Sequence, residues 1–140
     1  MKYFSQKYIV MTGLNLGFRL IKMLDIGYVT LIYFLSAIVI AVLMDKLYGV
    51  YNEKDESKKS TLRKTFDLVG MIWINGIIIY IARNLVPLIP SPFNNINGFK
   101  HSNLKELKSA YVFDFVLIYT QKNLVKRMEV FYDTVKSHIF

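Results

Sequence analysis

Ile26–Met44 is nineteen residues without a charge, and Asp25 and Asp45 close it at either end. No other feature of this chain narrows its fold so far. A helix rises 1.5 Å per residue, so a bilayer core of about 30 Å needs about 20 residues, and this stretch fits one crossing. Backbone amides and carbonyls in hydrocarbon must pair within their own segment, so the stretch is expected to be helical despite its β-branched residues. Tyr28, Tyr33 and Tyr48 are candidates to mark the interface levels.

A second apolar stretch follows. Leu68–Ala82 carries no charge, and apolar character continues past Arg83 to Ile89, giving an expected span over 68–89. Asn75 beside Gly76 is a candidate interhelical hydrogen bond at a close approach. Pro87, Pro90 and Pro92 must end this helix, because proline lacks an N–H and biases the residue before it away from the α region. Asn94, Asn95, Asn97 and Gly98 then supply turn chemistry over 90–101.

The remaining segments are less apolar. Residues 1–24 mix apolar positions with Lys2, Lys7, Arg19 and Lys22, and read as an in-plane amphipathic segment or as the lead-in to the first span. Gly13 and Gly17 match a small-xxx-small packing pattern. Residues 45–67 read as a polar, solvated connector, with six Lys or Arg against three Asp or Glu between Lys46 and Phe66. From 103 to 137 the pattern is helical again, with Asn103 and Glu106 in a capping-box arrangement. Within it, 109–121 is a short apolar run interrupted only by Asp114. It is followed by an amphipathic tail with Leu124, Met128, Phe131 and Val135 on one face. That part reads as a short third span leading into an amphipathic helix, or as one long surface helix. The expected architecture is therefore all-α: a single integral membrane domain with two or three transmembrane helices and an amphipathic C-terminal helix.

Charge and composition exclude several function classes. The net charge of +8 could serve nucleic acid or anionic headgroups, but the basic residues lie next to the apolar runs and no nucleic-acid motif is present. Nucleic acid is therefore not expected as a partner. Cysteine is absent, so no disulfide, thiolate metal site or catalytic thiol exists. His101 and His138 are the only histidines, and no paired-His metal spacing, nucleophile elbow or phosphate loop occurs. No catalytic residue, cofactor, metal or small-molecule substrate is expected. Asp25, Asp45 and Asp67 sit at span ends, where capping is the expected role.

The stretch Ile89-Pro90-Ser91-Pro92-Phe93-Asn94-Asn95-Ile96-Asn97-Gly98-Phe99-Lys100-His101-Ser102-Asn103-Leu104-Lys105-Glu106-Leu107 is the most distinctive. It resembles a group of small membrane proteins of nucleocytoplasmic large DNA viruses, in which a proline-rich helix end leads to a Gly-aromatic-x-His turn and a helix opening Leu-Lys-Glu. Pro90, Pro92, Gly98, Phe99, His101, Leu104, Lys105 and Glu106 carry the likeness, which covers residues 68–135. The group usually has Asp-Gly at Asn94-Asn95, Gly-Gly at Ser109-Ala110, and no charge where Asp114 stands. The resemblance implies a virion membrane or minor capsid component between the internal membrane and the protein shell. The expected partners are the lipid bilayer and other capsid or membrane proteins, met through the proline turn and the C-terminal helix. An accessory subunit of a multi-subunit membrane complex, such as a respiratory assembly, or a small channel would share the size and charge.

Two groups of residues are candidates for contact. His101 with Lys100, Lys105 and Lys108 could meet a lipid phosphate or an acidic strip on a partner. His101 could instead bond the turn's own backbone, and Glu106 could serve as a helix-start acid. Arg83 and Asp114 are charged groups inside potential spans, where an ionisable residue marks a functional site by default. They are a candidate intramembrane pair, although Arg83 could also extend its head to the interface.

Overall fold

The structure is a computed structural model that describes residues 2–105 and 109–139, with side chains from Leu16 onward except those of 106–108, His138 and Phe140. Every regular element among the described residues is helical. The helices are α1 (Lys2–Tyr48), α2 (Glu53–Ser57), α3 (Thr61–Leu85), α4 (Tyr111–Thr120) and α5 (Lys122–Ile139). Three short 3-10 turns, Val86–Leu88, Ile96–Gly98 and His101–Asn103, join α3 to the segment before α4.

Two helical stretches are long and apolar enough to cross a membrane: Leu16–Tyr48, of 33 residues, and Thr61–Leu88, of 28. Only 22% and 17% of their most apolar windows are buried. A core helix of a water-soluble domain buries its apolar stripe against neighbours, and most of the residues in these windows are not buried.

Several boundaries differ from those the sequence suggests. The segment before Asp25 continues α1 without a break, so it is a helical lead-in. The stretch read as a solvated connector is largely helical: α1 runs on to Tyr48, Asn52 caps α2 by accepting from Lys54 N, and α3 begins at Thr61. Its mixed charges pair with one another and with α5, which is why they tolerate ordered helix. The helix expected over 103–137 is broken twice. Ala110 takes φ 48°, a left-handed conformation that cannot continue an α-helix. Gln121 then separates α4 from α5. The ten residues of α4 reach about 15 Å, half of a bilayer core.

The chain divides into two compact units, Met1–Tyr33 with Arg83–Ala110, and Phe34–Ala82 with Tyr111–Phe140. In the first, the turn that follows Leu85 folds onto α1. Phe99 meets Phe18 edge-on at 5.7 Å, and Phe93 meets Tyr28 at 6.4 Å. Tyr28 Oη donates to Pro90 O at 3.2 Å. Gly17 allows this approach, since a Cβ there would lie 3.1 Å from Asn97 Nδ2. The tight path of the turn needs left-handed backbone at Asn95, Asn97 and Gly98 (φ 67°, 49° and 75°), residue types that adopt it at least cost. Asn95 N donates to Phe99 O at 2.7 Å and closes the loop.

In the second unit, Ala37, Ala41, Met44 and Leu68 are buried together with Phe113 and Leu117 of α4 and Leu124 of α5. The small side chains of Ala37 and Ala41, one turn apart on α1, leave room for close packing. Tyr48 Oη donates to Met71 O at 3.2 Å.

Candidate functional site

The first unit holds a buried polar cluster of Asp25, Ser91 and His101. Asp25 has 0% exposure, yet it lies within the continuous helix α1 and caps nothing. Its two oxygens meet two different residues of the turn. Oδ1 accepts a short hydrogen bond from Ser91 Oγ, and Oδ2 lies 2.7 Å from His101 Nδ1. A carboxylate only accepts, so Nδ1 carries the hydrogen.

The turn is preshaped to offer both donors. Ser91 Oγ accepts from Phe93 N at 3.0 Å, a local serine turn that fixes its rotamer. Asn94 Oδ1 accepts from His101 N at 3.0 Å, and the 3-10 turn at His101–Asn103 points the ring inward. His101 is 6% exposed, and its Nε2 is buried without a hydrogen-bond partner among the described residues.

This cluster fastens the turn to α1. Its connectivity differs from that of a Ser-His-Asp triad, because Ser91 bonds the carboxylate and not the imidazole. Among the described residues no three His, Cys, Asp or Glu side chains converge as metal ligands do.

The structure separates the residues grouped around His101 on sequence grounds. Lys100 and Lys105 are exposed, while His101 is turned into the protein. Glu106 and Lys108 lie outside the described residues. So does Gly13, in its side-chain surroundings, and so does the side chain of His138. Arg83 Nη2 donates to Ser109 O at 2.7 Å in the first unit. Asp114 is half-buried on α4 in the second, and the two residues belong to different units.

The second unit contains two further polar constructions. Asn75 and Gln121 form a reciprocal amide pair: Asn75 Nδ2 donates to Gln121 Oε1 at 3.2 Å, and Gln121 Nε2 to Asn75 Oδ1 at 2.6 Å. Their remaining hydrogens go to Met71 O and Leu117 O, one turn back on each helix. Asn75 was legible as an interhelical bond. Gln121 was not, and its only signal was a lone amide closing an apolar run.

Next to it, Asp45 accepts from Lys122 N at 3.1 Å and Asn123 N at 3.2 Å. Asp45 therefore caps the start of α5 and not an end of its own helix. An acid near the end of α1 opposes that helix's dipole, and the amide ends of α5 offset it. Asn123 Oδ1 in turn accepts from Tyr51 N at 2.8 Å.

A charge network completes this end of the unit. Glu56 accepts from Lys59 Nζ at 2.9 Å and from Arg127 Nη1. Lys59 also donates to Asp67 Oδ2 at 2.8 Å, and the Arg127 guanidinium lies 5.7 Å from the Tyr51 ring centre. Burial pushes the Glu56 carboxyl up, but Lys59 and Arg127 together outweigh it and hold the group below its ordinary value. Asp67 and then Glu56 hold the Lys59 ammonium above its ordinary value. A small cleft beside this network is walled by Lys64, Leu68, Phe131 and Thr134.

The fold and these sites define an all-helical chain with two helices of membrane-crossing length and polar groups that fasten its segments together. Comparison with protein-family models, with curated proteins and with solved structures gives no match.

Proposed function

We propose that this chain is a structural membrane protein of a large DNA virus particle, held in the bilayer by α1 and α3 and tying the internal membrane to the capsid shell. One observation carries the membrane part: the apolar windows of both helices are largely left unburied. Val39, Val42 and Leu43 on α1 and Ile72, Trp73 and Ile77 on α3 are among the exposed side chains. A water-soluble monomer rarely leaves apolar patches larger than about 300–600 Å². What supports the particle role is the resemblance carried by Ile89–Leu107. The polar clusters fit a scaffold, since each joins one segment to another and none presents reactive groups to a substrate. The contact surfaces in this reading are the turn, with Lys100 and Lys105 outward, and the polar face of α5.

The test is mass spectrometry of gradient-purified particles before and after mild detergent stripping. Retention with stripped capsids is the expected result. Release with the lipid would leave a membrane protein without firm capsid docking, and absence from particles would overturn the particle role altogether.

A further inference from the structure

Hydrogen bonds bring the helices of the second unit to one level. Tyr48 Oη of α1 reaches Met71 O of α3. Asp45 of α1 accepts from Lys122 N and Asn123 N of α5, and Gln121, the residue before them, pairs with Asn75 of α3. From that level α5 runs antiparallel to α3, since Val130 and Thr134 wall the same cleft as Leu68 and Thr61. α4 leads off the other way: Gln121 N still donates to Ile118 O, and Val125 N to Gln121 O, so helical bonds run up to the break and away from it. α1 arrives from α4's side, because the helix after it, α2, meets α5 through Glu56 and Arg127.

Charge divides at this level. On α4's side, residues 34–44 of α1, 76–82 of α3 and 111–120 of α4 hold one charged residue, Asp114. On α5's side lie all the charges of α2 and α5, with Arg63, Lys64 and Asp67 of α3. Outward apolar side chains occur on both sides, Val39, Ile77 and Phe115 on one and Leu62 and Phe66 on the other, so charge and not apolar exposure locates the border. Two aromatic side chains stand outward at it: Trp73, two residues before Asn75, and Tyr119, two before Gln121, each 70% exposed. The ten residues of α4 rise about 15 Å from there, the depth of one leaflet.

We infer that the headgroup layer of a phospholipid bilayer meets the second unit at Trp73 and Tyr119. α4 and the adjoining parts of α1 and α3 lie in hydrocarbon, and α2, α5 and the first turns of α3 stand in water. The inference rests on the membrane reading and adds where the bilayer ends. Indole and phenol rings join an apolar body to a polar atom and settle at headgroup level. Charge is costly below that level. Asp67, the nearest charge before Trp73 on α3, is six residues away, about 9 Å of helix rise towards water. The polar groups at the border are already satisfied: Asp45 holds two backbone amides, and Asn75 and Gln121 hold each other.

The test uses the full-length protein in phosphatidylcholine nanodiscs, where both bilayer faces are open to reagents. Trp73 is the single tryptophan and reports depth in the natural chain. Phosphatidylcholine brominated near the glycerol end of its acyl chain should quench it more than phosphatidylcholine brominated near the methyl end. The chain has no cysteine, so single-cysteine variants map the two sides. Lys58→Cys and Lys126→Cys should react with a membrane-impermeant maleimide about tenfold or more faster than Val42→Cys and Ile77→Cys, because the reacting thiolate does not form in hydrocarbon. Detergent should remove the difference, and circular dichroism checks that each variant keeps its helicity. Stronger quenching from the methyl end, or a cysteine at 126 as protected as one at 77, overturns the border and leaves the membrane reading standing. Equal labelling at all four positions with no quenching of Trp73 by either lipid overturns both.

Discussion

Replacing His101 with leucine should cost more stability than replacing Ser91 with alanine, and removing Asp25 as well should recover part of the loss. Asp25 is fully buried and receives two donors, one from each residue. Ser91→Ala removes one hydrogen bond to a charged group, worth about 1.5–3 kcal/mol, together with the local bond that Phe93 N makes to the hydroxyl, worth about 0.5–1.5 kcal/mol. His101→Leu removes the carboxylate's only aromatic N–H partner and leaves a buried charge held by one hydroxyl, the situation that costs about 3–5 kcal/mol. The double variant Asp25→Leu, His101→Leu carries no charge to strand. It should therefore be more stable than His101→Leu alone, although it has lost one more native residue. The assay is thermal or denaturant unfolding in detergent micelles, with limited proteolysis of 86–104 reporting release of the turn. If the double variant proves less stable than His101→Leu, the carboxylate is not what makes the single change costly, and the account of this cluster as a charged fastening fails.

The Asn75–Gln121 pair should show a coupling energy of about 0.6 kcal/mol, and not above about 1.7, in a double-mutant cycle with leucine at both positions, if the helices unfold within lipid. A markedly larger value would point to a water-soluble core, where orphaned amides cost about 1–3 kcal/mol each. Gly98→Ala should destabilise the turn by about 1–2 kcal/mol through its positive φ alone, since a Cβ there meets nothing within 4 Å; unchanged melting would refute the strain argument. The Glu56 carboxyl is held below its ordinary value by Lys59 and Arg127, so its contribution is present above the unfolded value and is lost as pH falls through the folded one. Stability measured across the acid range should fall less steeply for Glu56→Gln than for the natural chain, and parallel curves would exclude the linkage.

The sequence by itself determined the elements that depend on local chemistry. An uncharged run of span length has to be helix, and α1 contains it whole. Pro87 ended α3 two residues on from Leu85, and Asn95, Asn97 and Gly98 took the left-handed angles their side chains make cheap. Asn75 was legible because an amide among apolar residues must find a partner.

The tertiary structure alone decided who those partners are. Asp25 and Asp45 look alike in sequence, each one residue outside the same apolar run, and capping is the natural reading of both. One instead receives a serine and a histidine from a turn 66 and 76 residues away, and the other closes a helix 77 and 78 residues away. The connector between the two long apolar helices is decided by the same reach across the chain. Its charges read as solvated because Arg127, which neutralises Glu56, lies 71 residues further on. Hydrogen bonds and helix rise act over a few residues and leave periodic marks in the chain. A buried charge is satisfied by whatever donor the fold brings within about 3 Å, and sequence distance says nothing about that.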